Sequence, residues 1–77
     1  MTERETQNRQ ILRHMAAGNK VTDATARELF RCSRISARVY DLRHAGIPVL
    51  DEWEYEYDPD GKVVKKWKAY WIAASAN

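Results

Sequence analysis

Cysteine occurs once, at Cys32, so no internal disulfide can staple the fold; the two histidines, His14 and His44, stand thirty residues apart, which leaves no zinc-site spacing to assemble. Apolar runs are a few residues each, too short for a signal peptide or a membrane span, and a cytoplasmic chain with no membrane partner is expected. There is no glycine-rich phosphate loop. Neither histidine has a serine, cysteine or carboxylate beside it in the pattern of a nucleophile and base, so no enzyme activity, metal, cofactor or small-molecule ligand is expected. With only three glycines and two prolines, the composition favours a compact fold over a disordered tail.

What is present supports one domain over residues 1–77, with its core over about 4–73. Apolar residues make up 44% of the chain and charged residues 31%. A domain of this size buries only roughly 60% of its unfolded surface, so its stability is marginal unless a partner adds to it. The formal net charge of +2 understates how the charge is arranged. Residues 1–48 hold nine Lys/Arg against five Asp/Glu, a net of +4, whereas residues 49–77 hold four lysines against six carboxylates, a net of −2. The basic part favours an anionic partner.

Three helical patterns fill that basic part. Thr2 as N-cap with Glu5 three residues on reads as a capping box, followed by Ile11, Leu12 and Met15 at helical spacing and Gly18 as the stop. Lys20-Val21-Thr22 is long enough only for an extended link or a one-bridge strand. Thr22 and Asp23 then supply a cap and a negative charge for a second helix with Ala26, Leu29 and Phe30 as its apolar stripe. The tight Arg31-Cys32-Ser33 connection leads to a third helix over about 33–45. Ser33 is its expected cap, Ile35, Val39 and Leu42 its inner face, and Arg34, Ala37, Tyr40, Asp41 and His44 lie around the other side. Gly46 in the left-handed conformation ends it, with Ile47 against Leu42 as in a Schellman motif and Pro48 just beyond. Cys32 reads as a small buried residue.

From Val49 the period changes to two, and Trp, Tyr, Val and alternating charge replace the helical pattern. Asp58-Pro59-Asp60-Gly61 is a type I turn signal with Gly61 placed to form a bulge, which predicts a hairpin. If Asp58 faces Lys62, then Tyr57 faces Val63, Trp53 faces Trp67, Glu54 faces Lys66 and Glu52 faces Lys68, pairing aromatics on one face and opposite charges on the other. Val49, Trp53, Tyr55, Trp67 and Trp71 are then expected to lie on the helices, at least away from the turn. Core packing of Trp53, Trp67 and Trp71 is the expectation; stacking on bases is the alternative.

Three helices followed by a hairpin predict an α+β winged helix-turn-helix, a three-helix bundle with a C-terminal β-hairpin wing over its open side. The third helix, second of the helix-turn-helix pair, has the size and position to enter the major groove of duplex DNA, about 12 Å wide. The run LFRCSRISARVYDLRHAGIPV, followed by an aromatic hairpin with a YDPDGK turn and KKWKAYWI, resembles the small helix-turn-helix domain of many bacteriophage and prophage proteins, over roughly residues 8–73. The shared elements are a cysteine before the third helix, the R-I-x-A-R-V-x-D-L-R helix, a following glycine and a hairpin closing in an aromatic strand. The resemblance implies a DNA-binding protein of phage or prophage origin in a bacterial host cell, acting in transcription regulation or phage DNA processing.

Duplex DNA is therefore the expected partner, met by a homodimer or at adjacent sites because one small domain rarely binds both tightly and specifically. Arg34 in the first turn of the third helix suits a phosphate or the O6/N7 edge of guanine. Arg38 could do the same or pair with Asp41 three residues on. Ser33, Ser36 and Ala37 are small enough to let the backbone approach phosphate or a thymine methyl, and Tyr40 either reaches phosphate or leans on Arg43 and the first helix. Arg27 and Arg31 flank the turn, while Lys20 and Thr22 lie near the start of the second helix, where a helix end favours an anion. The wing is acidic along Glu52, Glu54 and Glu56 and at Asp58 and Asp60. Lys62 and Lys65 are its candidate contacts, the other lysines being expected to neutralise the glutamates. The competing reading is a protein-interaction module that presents the aromatic, acidic hairpin to a host or phage protein.

Overall fold

The computed structural model describes residues 2–73 and orders them as α1 (Glu3–Ala16), α2 (Asp23–Phe30), α3 (Ile35–His44), β1 (Val49–Tyr57) and β2 (Val63–Ile72). The expected α+β order of three helices and a C-terminal hairpin holds, and residues 1 and 74–77 of the predicted domain lie outside the described residues. Thr2 caps α1 by accepting from the Glu5 amide at 3.1 Å, and Thr22 caps α2 by accepting from the Thr25 amide at 3.2 Å. Gly46 adopts φ 91° and ends α3 as a Schellman motif, with the Ile47 amide donating to the Leu42 carbonyl at 3.0 Å.

Ile11 and Met15 of α1, Val21, Ala26 of α2, Cys32, Ile35, Val39 and Leu42 of α3, Val49 and Tyr70 form one buried cluster. Phe30 packs against it, but Leu29, expected beside it, is 54% exposed. α2 ends after two turns, and Leu29 falls on its outer side. Val21 makes the single bridge anticipated for the link, exchanging two 2.8 Å hydrogen bonds with the backbone of Tyr70.

The hairpin departs from the expected register. Asp58 and Lys62 close the turn, Gly61 takes φ 84°, and Tyr57 pairs with Val63 as predicted. Between Glu56 and Tyr57 the register shifts, so Val64 is an extra residue on β2 and Glu56 pairs with Lys65. Beyond this bulge every β2 side chain changes face. Trp53 therefore faces Lys68 rather than Trp67, Glu54 faces Trp67 rather than Lys66, and Glu52 faces Ala69 rather than Lys68. Tyr70, instead of Trp71, joins Val49 in the core. The expected aromatic face over the helices is thus corrected: Trp53 is 49% exposed, while Trp67 and Trp71 are half-buried on the opposite face, and none of the three tryptophans is in the buried core. Trp67 instead donates its indole N–H to Glu54 at 2.8 Å.

α1 and α3 are tied by Asp41, which accepts from Arg4 through two hydrogen bonds, from Asn8 at 3.2 Å, and pairs with Arg38 at 3.3 Å. The hydrogen bonds from Arg4 are the main cause that lowers the Asp41 carboxyl from 3.8 to about 2. A carboxyl more acidic in the folded than in the unfolded chain stabilises fully above 3.8, and that contribution vanishes as pH falls from 3.8 to about 2. The loss of stability in Asp41→Asn should therefore be greatest at neutral pH and shrink through that window, as read from urea midpoints; a difference independent of pH would contradict this role. For the core, Ile11→Ala should cost about 2–5 kcal/mol. Leu29→Ala should stay within about 0.5 kcal/mol in the same assay.

Candidate nucleic-acid interface

Four residues, 31–34, connect α2 and α3. Arg31 sits in the left-handed region at φ 53°, the only non-glycine residue with positive φ among those described, and the Cys32 amide reaches back to the Ala26 carbonyl at 3.0 Å. The amide of Gln7 on α1 donates to the carbonyls of Phe30 and Arg31 at 3.4 and 3.2 Å, which fastens the turn to α1. Cys32 is buried beneath it, as expected. With its backbone held on both sides, the turn projects the Arg31 side chain outward.

α3 begins one residue later than a Ser33 cap would place it. Arg34 is the N-cap, with φ −138°, and no side chain caps the helix; its carbonyl accepts from the Ala37 amide at 3.1 Å. Ser33 is an exposed bend residue instead. The first turn of α3 thus keeps amides with no side-chain acceptor, at the end of the helix where the backbone dipole is positive. Ser33, Arg34 and Ser36 are exposed around it, and Ala37 is half-buried. Together with the N-cap Thr2, with Glu3, Arg4 and Gln7 of α1 and with Arg31 of the turn, Ser33 and Arg34 line an open groove of about 590 Å³.

The arginines there are not equivalent. Arg4 and Arg38 are both engaged by Asp41, and Arg38 keeps only 15% of its side chain exposed. Among the described residues, Arg31 and Arg34 have no ion-pair partner. Farther along α3, Tyr40 is 61% exposed and leans on His44, with ring centroids 4.0 Å apart. Arg43 turns to the hairpin, donating to the Val49 carbonyl at 2.8 Å and pairing with Asp51 at 2.9 Å.

The remaining sequence candidates lie apart from this groove. Lys20 points to the hairpin, 2.7 Å from Glu52 and 3.6 Å from Glu54, with its ammonium 5.0 Å from the Trp71 ring centre. It answers the glutamates in place of the β2 lysines expected to do so. Thr22 and Arg27 line a second hollow with Lys65, Lys66 and Trp67, between the start of α2 and the edge of β2. Lys62 is exposed beside the hairpin turn. Sequence reasoning missed Arg4, Asn8 and Gln7, the α1 residues that set the turn and α3 in place. Their partners are 23 to 37 residues away and leave no local pattern.

No described helix is long and apolar enough to cross a membrane. Neither the curated proteins nor the solved structures give a significant match. A family model described as a winged helix-turn-helix domain matches residues 6–75, from the first turn of α1 through α2, α3 and both strands. With that match and this architecture, the chain belongs to the winged helix-turn-helix domain family.

Proposed function

We propose that the chain binds duplex DNA without catalysing a reaction, placing the first turns of α3 in the major groove. The observation that carries this reading is the pair of arginines, Arg31 and Arg34, that have no ion-pair partner among the described residues and stand at the start of the second helix of a helix-turn-helix, which no described side chain caps. Phosphate favours such a helix end, and guanidinium forks suit phosphate or guanine. Ser33, Ser36 and Ala37 let the backbone approach, with Tyr40 on the outer face beyond them. Arg38 serves this surface by holding Asp41 rather than by reaching out. Arg27, Thr22, Lys65 and Lys62 would flank the duplex as backbone contacts, whereas Lys20 supports the hairpin. The resemblance to phage and prophage domains extends the reading to transcription regulation or phage DNA processing in a bacterial cytoplasm, with two copies or adjacent sites providing specificity.

Fluorescence anisotropy with a generic duplex over a salt series tests this reading. Affinity should fall steeply with salt, and Arg34→Ala should weaken binding and reduce the slope of log K against log salt by about 1. Arg13→Ala, a change on the exposed side of α1, should leave both unaltered. Equal affinity for the Arg34→Ala and parent proteins would refute the assignment. Arg31→Gly separates binding from folding. Relief of the left-handed conformation gains about 1–2 kcal/mol, and the freer unfolded chain returns about 0.4–1 kcal/mol of it. Thermal stability should therefore hold or rise while duplex affinity drops; a fall in both would mean the side chain is needed for the fold.

A further inference from the structure

The outer half of the hairpin carries an aromatic row that the core does not use. Trp53, Tyr55 and Tyr57 recur at every second residue of β1 and share one face. They are 49%, 44% and 59% exposed, and the Tyr55 and Tyr57 rings lie with centroids 6.1 Å apart. From β2, Lys68 and Lys66 stand directly opposite Trp53 and Tyr55, and their ammonium groups lie 5.1 and 4.9 Å from the centre of the Trp53 ring. The same face continues inward through Asp51, which Arg43 holds from α3. The glutamate row occupies the opposite face.

The charge of this surface selects its occupant. A second copy of the chain laid face to face would bring four lysine ammonium groups into one interface, where the face's one carboxylate, Asp51, already pairs with Arg43. A strand with unpaired bases answers both features, because bases stack on aromatic rings while phosphates take the ammonium groups. Paired bases are stacked within a duplex and do not offer their ring faces. Cation–π contacts at exposed sites are weak, so Lys66 and Lys68 can turn from the Trp53 ring to phosphate.

We propose that this face of the hairpin binds single-stranded DNA, with bases stacked on Trp53 and Tyr55 and phosphates held by Lys66 and Lys68. The surface is distinct from the Arg31 and Arg34 groove; only the choice of DNA as the strand rests on the duplex reading of α3. The test is titration of the intact protein with a labelled oligothymidylate of about twelve nucleotides, within the span that stacking proteins cover, following anisotropy and tryptophan emission. Binding with quenched emission is expected. The double variant Trp53→Ala/Tyr55→Ala should lose about tenfold or more in affinity for the oligothymidylate while keeping its duplex affinity. Trp53→Phe should retain most of the affinity and lose most of the quenching.

Lys66→Glu/Lys68→Glu, which leaves the aromatic row in place, should also weaken oligothymidylate binding about tenfold or more, and melting curves verify that each variant is folded. Absence of oligothymidylate binding at low salt, or unchanged affinity in the folded aromatic variant, would overturn the proposal. So would tryptophan emission that follows protein concentration instead of oligothymidylate, which would assign the face to a second copy. Oligothymidylate binding in a protein that ignores duplex would uphold this face and defeat the reading of α3; duplex binding without oligothymidylate binding would do the reverse.

Discussion

Two 2.8 Å hydrogen bonds between Val21 and Tyr70 join the link after α1 to the inner end of β2, and the arrangement of the hairpin follows from them. They turn both residues into the core, where Val21 is fully buried and Tyr70 nearly so. With Tyr70 committed inward and Tyr57 paired to Val63 at the turn, β2 has one residue too many for an uninterrupted ladder. Val64 absorbs it as a bulge. The core thereby takes Val49, Tyr70 and Ile72 from one face of the sheet, leaving the tryptophans outside the buried cluster.

That single extra residue also sorts the charges. Lys66 and Lys68 come to the face of Trp53, Glu52 and Glu54 lose the lysine partners that an even register would give them, and Glu56 gains Lys65. Lys20 replaces those partners because it adjoins Val21. Neighbouring residues of an extended segment point to opposite faces, so with Val21 inward Lys20 emerges beside Glu52, Glu54 and Trp71. The hairpin ends with one aromatic, cationic face and one acidic face quenched from the helical half.

On the helical side, α1 decides which arginines face outward. Gln7 fixes the turn through the Phe30 and Arg31 carbonyls, and Arg4 and Asn8 meet Asp41 on α3. Asp41 in turn engages Arg38, leaving Arg31 and Arg34 as the groove's unpaired cations among the described residues. The carboxylate within α3 is neutralised by Arg4 of α1 and by Arg38. Arg31 and Arg34 remain outward at the start of α3, in a groove whose one lining carboxylate is Glu3.

Local chemistry was legible in the sequence. The caps at Thr2 and Thr22, the left-handed stop at Gly46, the turn at Asp58–Gly61 and the Arg38–Asp41 pair all depend on neighbours within a few residues or on one residue's conformational preference, and the element order follows from the change of hydrophobic period; the extended link at Val21 was legible too, but not its distant partner Tyr70. Ser33 defeated this logic: Arg34 takes the N-cap position and α3 starts one residue later. The bulge at Val64, the exchange of Trp71 for Tyr70, the exposure of Leu29 and the lysines over Trp53 were decided only by the tertiary structure. The even register offers the better charge and aromatic pairs across the strands, and what overrides it is which side chains fill a core assembled from all five elements. In the same way the sequence by itself determined a basic helix-turn-helix, whereas contacts from α1 across 23 to 37 residues decided which of the groove's arginines are held in ion pairs and which are not.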